Sequence, residues 1–476
     1  MDSFQLTTKI AVFTHGRKAI GIPLGVIDKT GRLKTGKGAV GTMIEESWFG
    51  IKPNNDPEPD FPEAGVELKV TPYVKSNNGI RAKERLVCNI INYMEEHSDT
   101  FVTSSFWHKC NTLLIMTYMH KDGVDKRDFE IDEVVLFNFP ESDLEIIIHD
   151  WETIMTKIRA GKAHELSEGD TLYLGACTKG KNSATVRHQP FSSIPAKQRA
   201  YSLKQSYMTS IINRYIFGGE ADEYVVKDPE LLNEQSFQDY VSKKVAPYIG
   251  WTQESLLLEF GLDDIAKYTP PSIGLIRGRE SCKNINERIL ACMLGVKGRI
   301  AATDEFKKAS IIPKTIRIQR NNRIKESMSF PTFRFGEIIQ EEWEESNLMS
   351  YLAPAIFLFV IFKENNLGEY VFERVKFWNI PVTDLDEVEK VWHRTVDTIR
   401  RGVKLTIQGK RVINDLPKST DNHVAHIRPH SSRSAYRFDD VVIGKLGDAY
   451  ELPDGRWMTK QCFWFNNSYV ESIIKE

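Results

Sequence analysis

Cysteine is scarce in this chain: six residues in 476, none in C-x-x-C spacing. That excludes a disulfide-stapled scaffold and a zinc-ribbon site, and it suits a reducing compartment. Long apolar runs are also missing. The most apolar one, "YLAPAIFLFVIF" from Tyr351 to Phe362, contains a proline and is about half the length a bilayer-spanning helix needs. The first residues, "MDSFQLTTKIAVF", show no basic stretch leading into an apolar one, so a cytoplasmic protein is expected. Net charge is nearly absent as well. Lys and Arg number 63 against 65 Asp and Glu, giving −2, so any polyanion must be held by a local patch. One local shortage supplies a candidate: Thr171 to Gly219 contains no Asp or Glu, yet carries Lys179, Lys181, Arg187, Lys197, Arg199, Lys204 and Arg214. A basic, Gly/Ser/Asn-rich loop followed by an amphipathic helix is a surface for phosphates and base edges.

What is present is a globular composition, 41% hydrophobic and 11% aromatic, on a chain too long for one core. Three short stretches recur in the same order. "WETIMTKIRAG" at Trp151 resembles "WHRTVDTIRRG" at Trp392, "SYMTSII" at Ser206 resembles "SYVESII" at Ser468, and "SWFG" at Ser47 resembles "CMLG" at Cys292. Ordered repetition at offsets of 241, 262 and 245 residues indicates a duplicated domain. The Gly-, acid- and Pro-containing stretch from Gly218 to Gln235 reads as the seam, which sets domains at 1–225 and 226–476. Each half runs from helices to strands with turns and back to helices. That order predicts an α/β fold with a mixed sheet flanked by helices.

The candidate chemistry lies in "PEPDFPEAGVELKVTPY", Pro57 to Tyr73. Side chains alternate along a strand, so Glu67 and Lys69 share one face while Val66, Leu68 and Val70 face the core. Asp60, at the entry to the strand, can fold back beside Glu67. Two carboxylates in one place call for a hard divalent cation such as Mg²⁺, and an adjacent ammonium can steady charge on a phosphate. An edge strand whose Glu and Lys pair across solvent gives the same pattern. Glu45, in "GAVGTMIEESWFG", and Lys109, in "HKCNTLLIMTY", offer a third carboxylate and a second ammonium; a solvated helix face and a strand-end charge read equally well there.

Together "VGTMIEESWFG", "DFPEAGVELKVTPY", "TSSFWHKCNTLL", "TKGKNS" and "RAYSLKQSYMTSII" cover most of residues 36 to 217. They resemble the MutH family: the mismatch-repair nickase and its two-domain relatives, type II restriction endonucleases that cut at GATC. The resemblance implies a restriction-endonuclease-like fold in two tandem MutH-like domains forming a pseudo-dimer. It makes Asp60 and Glu67 metal ligands, Lys69 the lysine beside the scissile phosphate, and Glu45 (or its neighbour Glu46) and Lys109 the auxiliary acid and lysine. It places Lys179, Lys181, Arg187, Arg199, Ser202 and Lys204 among the DNA-binding residues. Ser202 stands where the nickase has a tyrosine linked to sensing adenine methylation, so insensitivity to that modification is expected.

In the second half "SIIPKTIRI" aligns with "GVELKVTPY", setting Lys314 at the Lys69 position and Ile312 at that of Glu67, with Leu290 in the place of Glu45. The resemblance therefore implies a degenerate half that binds DNA without cutting and raises activity allosterically. Arg428 and His430, in "IRPH", resemble the family's groove-reading loop. The expected protein is a Mg²⁺-dependent endonuclease cutting 5′ of GATC and leaving 5′-phosphates. It would be a monomer when free, dimerise on DNA with two sites, and work beside a cognate DNA methyltransferase. A non-cleaving DNA-binding regulator and a repair nickase are the alternatives. "GRLKTGKG" at Gly31 fails as a phosphate-binding P-loop because Gly38 replaces the Ser or Thr, and "HELSE" at His164 is not H-E-x-x-H. His423, His426 and His430 read as base or phosphate contacts or as ordinary loop residues sooner than as a metal cluster.

Overall fold

The structure, a computed structural model, describes residues 6–34, 38–52, 57–76, 79–180, 185–262, 285–324, 327–409 and 411–475. Lys181 lies outside them. The chain forms two compact units, one of residues 1–243 and 294–312, the other of residues 244–293 and 313–476. Among the described residues no helix is long and apolar enough to cross a membrane.

The first unit contains β1 (Glu67–Ser76), β2 (Gly79–Ala82), β3 (Leu86–Ile90), β4 (Thr112–Met119), β5 (Ile131–Asn138), β6 (Leu174–Thr178), β7 (Val186–Gln189), β8 (Ser192–Lys197) and β9 (Arg199–Leu203). One sheet has the order β2-β1-β4-β5. β1 runs parallel to β4, whereas β2 and β5 are antiparallel to their neighbours, so the sheet is mixed. β1 is therefore an interior strand. On one face Leu68 joins Leu114 and Met116 in a core with Val12, Met43 and Ile44 from the N-terminal helices. Gly16 lets the first helix approach that face, because a Cβ there would lie 3.2 Å from Leu114 Cδ2 and Val134 Cγ1. Glu67 and Lys69, in register with Leu113 and Ile115, take the opposite face. A second, antiparallel sheet has the order β3-β9-β6, and β7 and β8 form a separate hairpin.

The helix Glu141–Arg159 shows why its sequence is helical. Glu141 and Asp143 lie in its first turn and Lys157 and Arg159 in its last, matching the helix dipole, and Gly161 follows at φ 70°. Ile147, Trp151, Ile154 and Ile158 bury one stripe.

In the second unit, β10 (Ile311–Ile318), β11 (Met328–Phe333), β12 (Ile356–Glu364) and β13 (Tyr370–Trp378) are followed by a hairpin of β14 (Leu405–Gln408) and β15 (Arg411–Asn414). Then come β16 (Ala425–Pro429), β17 (Tyr436–Phe438), β18 (Val441–Ile443), β19 (Ala449–Glu451), β20 (Trp457–Thr459) and β21 (Gln461–Phe465). The apolar run of the sequence begins at the end of the helix Asn347–Leu352 and continues into β12, a buried strand between β10 and β13. The order β11-β21-β16 repeats β3-β9-β6. Helix Val382–Arg400 has the same 19 residues as Glu141–Arg159. Ser104 and Ser346 cap equivalent short helices after equivalent 3₁₀ turns. The two units share an internal plan.

Residue 225 lies inside the first unit. Val225 and Val226 are buried, and their N–H groups donate to the Glu305 carboxylate at 2.9 and 2.8 Å. On the same helix, Asp304–Ala309, Lys308 is 1% exposed and its Nζ reaches Asp143 at 2.7 Å and Asp304 at 2.6 Å. Composition marks where a chain turns, but gives no sign that a later helix returns to fill an earlier core. Removing one member of such a buried set leaves charge uncompensated. Lys308→Met should thus cost about 3–5 kcal/mol in urea unfolding of the first unit. Lys307→Met, on the exposed side with Asp222, should cost less than about 1 kcal/mol.

Candidate active site

Asp60 is carried by a tight turn. Phe61 and Val66 exchange backbone hydrogen bonds at 3.0 and 3.3 Å, and Gly65 takes φ 61°, which favours glycine. The turn folds Asp60 back over the start of β1. There Asp60 N–H donates to Glu67 Oε2 at 3.1 Å, and Leu68 N–H donates to Asp60 Oδ2 at 3.0 Å. Each carboxylate is thus held by the backbone beside the other. Lys69 Nζ donates to Glu67 Oε1 at 2.8 Å and to Cys88 O at 3.4 Å. From the end of the helix Ser105–Cys110, Lys109 Nζ lies 3.9 Å from Glu67 Oε2.

Glu45 begins a π-helical turn, Glu45–Phe49, continuing from helix Ala39–Ile44. Phe49 meets Phe61 edge-on at 5.1 Å, which ties this turn to the Asp60 turn. Burial raises the Glu45 carboxyl above its usual range, and the charge of Asp60 adds to the effect. Glu46 faces away and makes a two-pronged ion pair with Arg32, both contacts at 2.7 Å. The adjacent glutamates are thereby told apart: Glu45 feels the site, Glu46 a surface arginine.

Glu67 is only 3% exposed, which rules out a solvent-bridged edge pair. Burial raises its carboxyl, Lys69 opposes the rise, and Asp60 reinforces it. For Lys69 burial acts downward, but the Glu67 charge overcomes it and holds the ammonium well above its usual range. Hard oxygen donors crowded enough to raise one another suit a divalent cation, which would relieve that crowding. Among the described residues, no three His, Cys, Asp or Glu side chains converge closely enough as they stand to hold a metal ion.

The basic segment divides into surface and interior. Lys179 and Arg187 are exposed, and Arg187 Nε–H donates to Gln198 Oε1 at 2.7 Å. Arg199, Ser202 and Lys204 are buried, a correction to their expected place at a DNA surface. Arg199 donates to Ala176 O at 2.6 Å and to Leu166 O. Lys204 donates to Thr171 O, and burial pushes it down to about 8 against the pull of Asp150. Asp150 accepts from the backbone N–H groups of Leu172, Tyr173 and Leu174 at 2.6, 2.6 and 2.9 Å. The loop that precedes β6 lies over these cations, something strand alternation does not reveal.

In the second unit Arg428 and His430 are exposed at the end of β16. The three histidines take separate partners: His423 lies 4.0 Å from Glu387, His426 bonds Asn466 Oδ1 at 2.6 Å, and His430 Nδ1 lies 3.2 Å from Cys462 Sγ. Lys314 is half-buried, and burial alone lowers its ammonium, the reverse of Lys69. Sequence reading missed the Glu58–His108 pair, 2.9 Å apart, which straps the Asp60 loop to the Lys109 helix. Its signal was present, since each residue is within two positions of a candidate.

The family described as DNA mismatch repair enzyme MutH matches residues 49–150. The type II restriction enzyme Sau3AI of Staphylococcus aureus is 38% identical, with all of both chains covered. The DNA mismatch repair protein MutH of Shewanella woodyi is 30% identical over 38% of this chain and 78% of its own length. That of Serratia proteamaculans is 24% identical over 43% and 92%. With a full-length match to a restriction enzyme and a MutH domain that spans the Asp60–Glu67–Lys69 cluster, the chain belongs to the MutH-related type II restriction endonucleases.

Proposed function

We propose that the chain cleaves both strands of duplex DNA at GATC, 5′ of the guanine, with Mg²⁺ as cofactor and 5′-phosphate products. The observation that carries this reading is the reciprocal hydrogen bonding of Asp60 and Glu67 beside two ammonium groups. Asp60 and Glu67 would hold the cation, with Glu45 as a third acid. When bound, the cation supplies positive charge at the phosphate and acidifies a coordinated water. Lys69, kept protonated by Glu67, presents positive charge where a pentavalent phosphate gathers negative charge. Lys109 steadies Glu67 from the other side. Lys179 and Arg187 are the exposed cations available to the duplex, and Lys181 is assigned to the same set from its sequence position.

The second unit binds an effector copy of the site without cutting. Ile312 and Leu290 bring no carboxylates, and burial alone acts on the Lys314 ammonium, with no acid to hold its charge among the described residues. Arg428 and His430 are its proposed DNA contacts. With one catalytic centre per chain, two chains meet on DNA carrying two sites, starting from a free monomer, and a cognate methyltransferase protects the host in the cytoplasm. Cleavage whether or not adenine is methylated belongs to the same reading and comes from the family resemblance at Ser202, whose side chain is buried. The match of the second unit, as well as the first, to a restriction enzyme favours this reading over a repair nickase.

Digestion of adenine-methylated and unmethylated plasmids with Mg²⁺ is the first test. Double-strand cuts at GATC in both are expected, with at least about 10³-fold less cutting by Glu67→Gln, since loss of several kcal/mol of charge stabilisation at 1.36 kcal/mol per decade has that effect. Bound but uncut DNA across a range of divalent ions would sink the reading. Glu45→Gln should lose at least about 10²-fold, whereas Glu46→Gln and Lys314→Met should each stay within about twofold of wild type, because surface or vestigial groups contribute little.

A further inference from the structure

The shared plan of the two units allows comparison position by position along β9 and β21. Both strands lead into a helix containing Ser-Tyr, at Ser206 and Ser468, 262 residues apart. The same offset sets Ser202 against Trp464 and Ala200 against Cys462. In the ladders Ala200 pairs with Cys177 as Cys462 pairs with Arg428. Arg428 thus stands where the first unit has Cys177. There the first unit is closed by two small buried side chains, Cys177 and Ser202. The second unit places an exposed arginine and a half-buried tryptophan in the same positions.

These two side chains form a built pair. Residues diagonal across a ladder share a face, and the Arg428 guanidinium carbon lies 5.0 Å from the centre of the Trp464 ring. Trp464 Nε1–H donates to Arg428 O at 3.2 Å, which fixes the indole. The ring of His430 lies 5.5 Å from that of Trp464. Among the described residues no carboxylate lies within ion-pair distance of Arg428, and His423 to Phe438 has no acid. The guanidinium therefore lies over the indole ring and has no partner for its charge among those residues.

A free arginine on a surface must give up rotamer freedom before it can make two parallel hydrogen bonds. Packing over an indole removes part of that freedom in advance and leaves the N–H groups free to donate. A two-pronged donor of this kind matches O6 and N7 of guanine in the major groove. A phosphate site would gather further cations, but Lys460, next along the ladder, has its ammonium 4.9 Å over the Tyr450 ring.

We propose that Trp464 is a positioning residue that holds Arg428 as a planar donor to a guanine edge in DNA bound by the second unit. The proposal rests on the reading that the second unit binds an effector duplex. Its test is the cleavage of a one-site plasmid stimulated by a short GATC duplex whose scissile linkages are non-hydrolysable, scored by the duplex concentration that gives half-maximal stimulation. Arg428→Ala and Trp464→Ala should each raise that concentration about tenfold or more. Trp464→Phe, which keeps a stacking face, should stay within about threefold of wild type. Effector duplex with 7-deazaguanine should be weaker for wild type but no weaker than ordinary duplex for Arg428→Ala. A shift with Arg428→Ala but none with Trp464→Ala overturns the proposal while leaving the effector reading intact. So does an equal loss in Trp464→Phe and Trp464→Ala, or a 7-deazaguanine penalty that persists without Arg428. If no duplex stimulates wild type, the effector reading fails and takes the proposal with it.

Discussion

The arrangement depends on one constraint: the Glu67 carboxylate is buried on an interior strand and must be satisfied there. An isolated charge in such a place is costly. Asp60 N–H and Lys69 Nζ satisfy it directly, with Lys109 Nζ 3.9 Å away, and each donor comes from a different element. The Asp60 turn, β1 and the helix Ser105–Cys110 are thereby drawn to one point. The alternation of side chains along β1 is part of the same solution, because it gives Lys69 and Glu67 one face and leaves the opposite face to the core.

In the second unit burial lowers the Lys314 ammonium, where that of Lys69 is raised by its glutamate. The scaffold persists nonetheless: the sheet order, the serine caps and the 19-residue helix all recur. Packing and capping therefore maintain the fold separately from the carboxylates. The sheet equivalent to β3-β9-β6 carries instead an exposed arginine stacked on tryptophan. The side chains differ on a shared internal plan in which the order β3-β9-β6 recurs as β11-β21-β16.

Much of this was legible in the residues. The alternation of "GVELKV" put Glu67 and Lys69 together, and the offsets of the three repeats announced the duplication. The helix at Trp151 showed itself by its apolar stripe and end charges. Less legible were matters of depth. Arg199, Ser202 and Lys204 belong to an acid-free segment that reads as one basic surface, yet they lie beneath a loop held by Asp150. Exposure depends on which distant loop crosses a strand, and a local pattern carries no record of that.

By itself the sequence determined the local terms: which side chains alternate, where helices are capped, and where acids are present or missing along the chain. These come from periodicity and chemistry within a few residues. Only the tertiary structure decided that Glu45 and not Glu46 feels the site, that the helix Asp304–Ala309 belongs to the first unit, and that Trp464 braces Arg428. Each of those outcomes requires side chains distant in sequence, or two neighbours pointing opposite ways from one turn, to be placed within a few ångströms. Long-range packing sets such distances, because the energy that fixes them is shared among many contacts and resides in no single stretch of the chain.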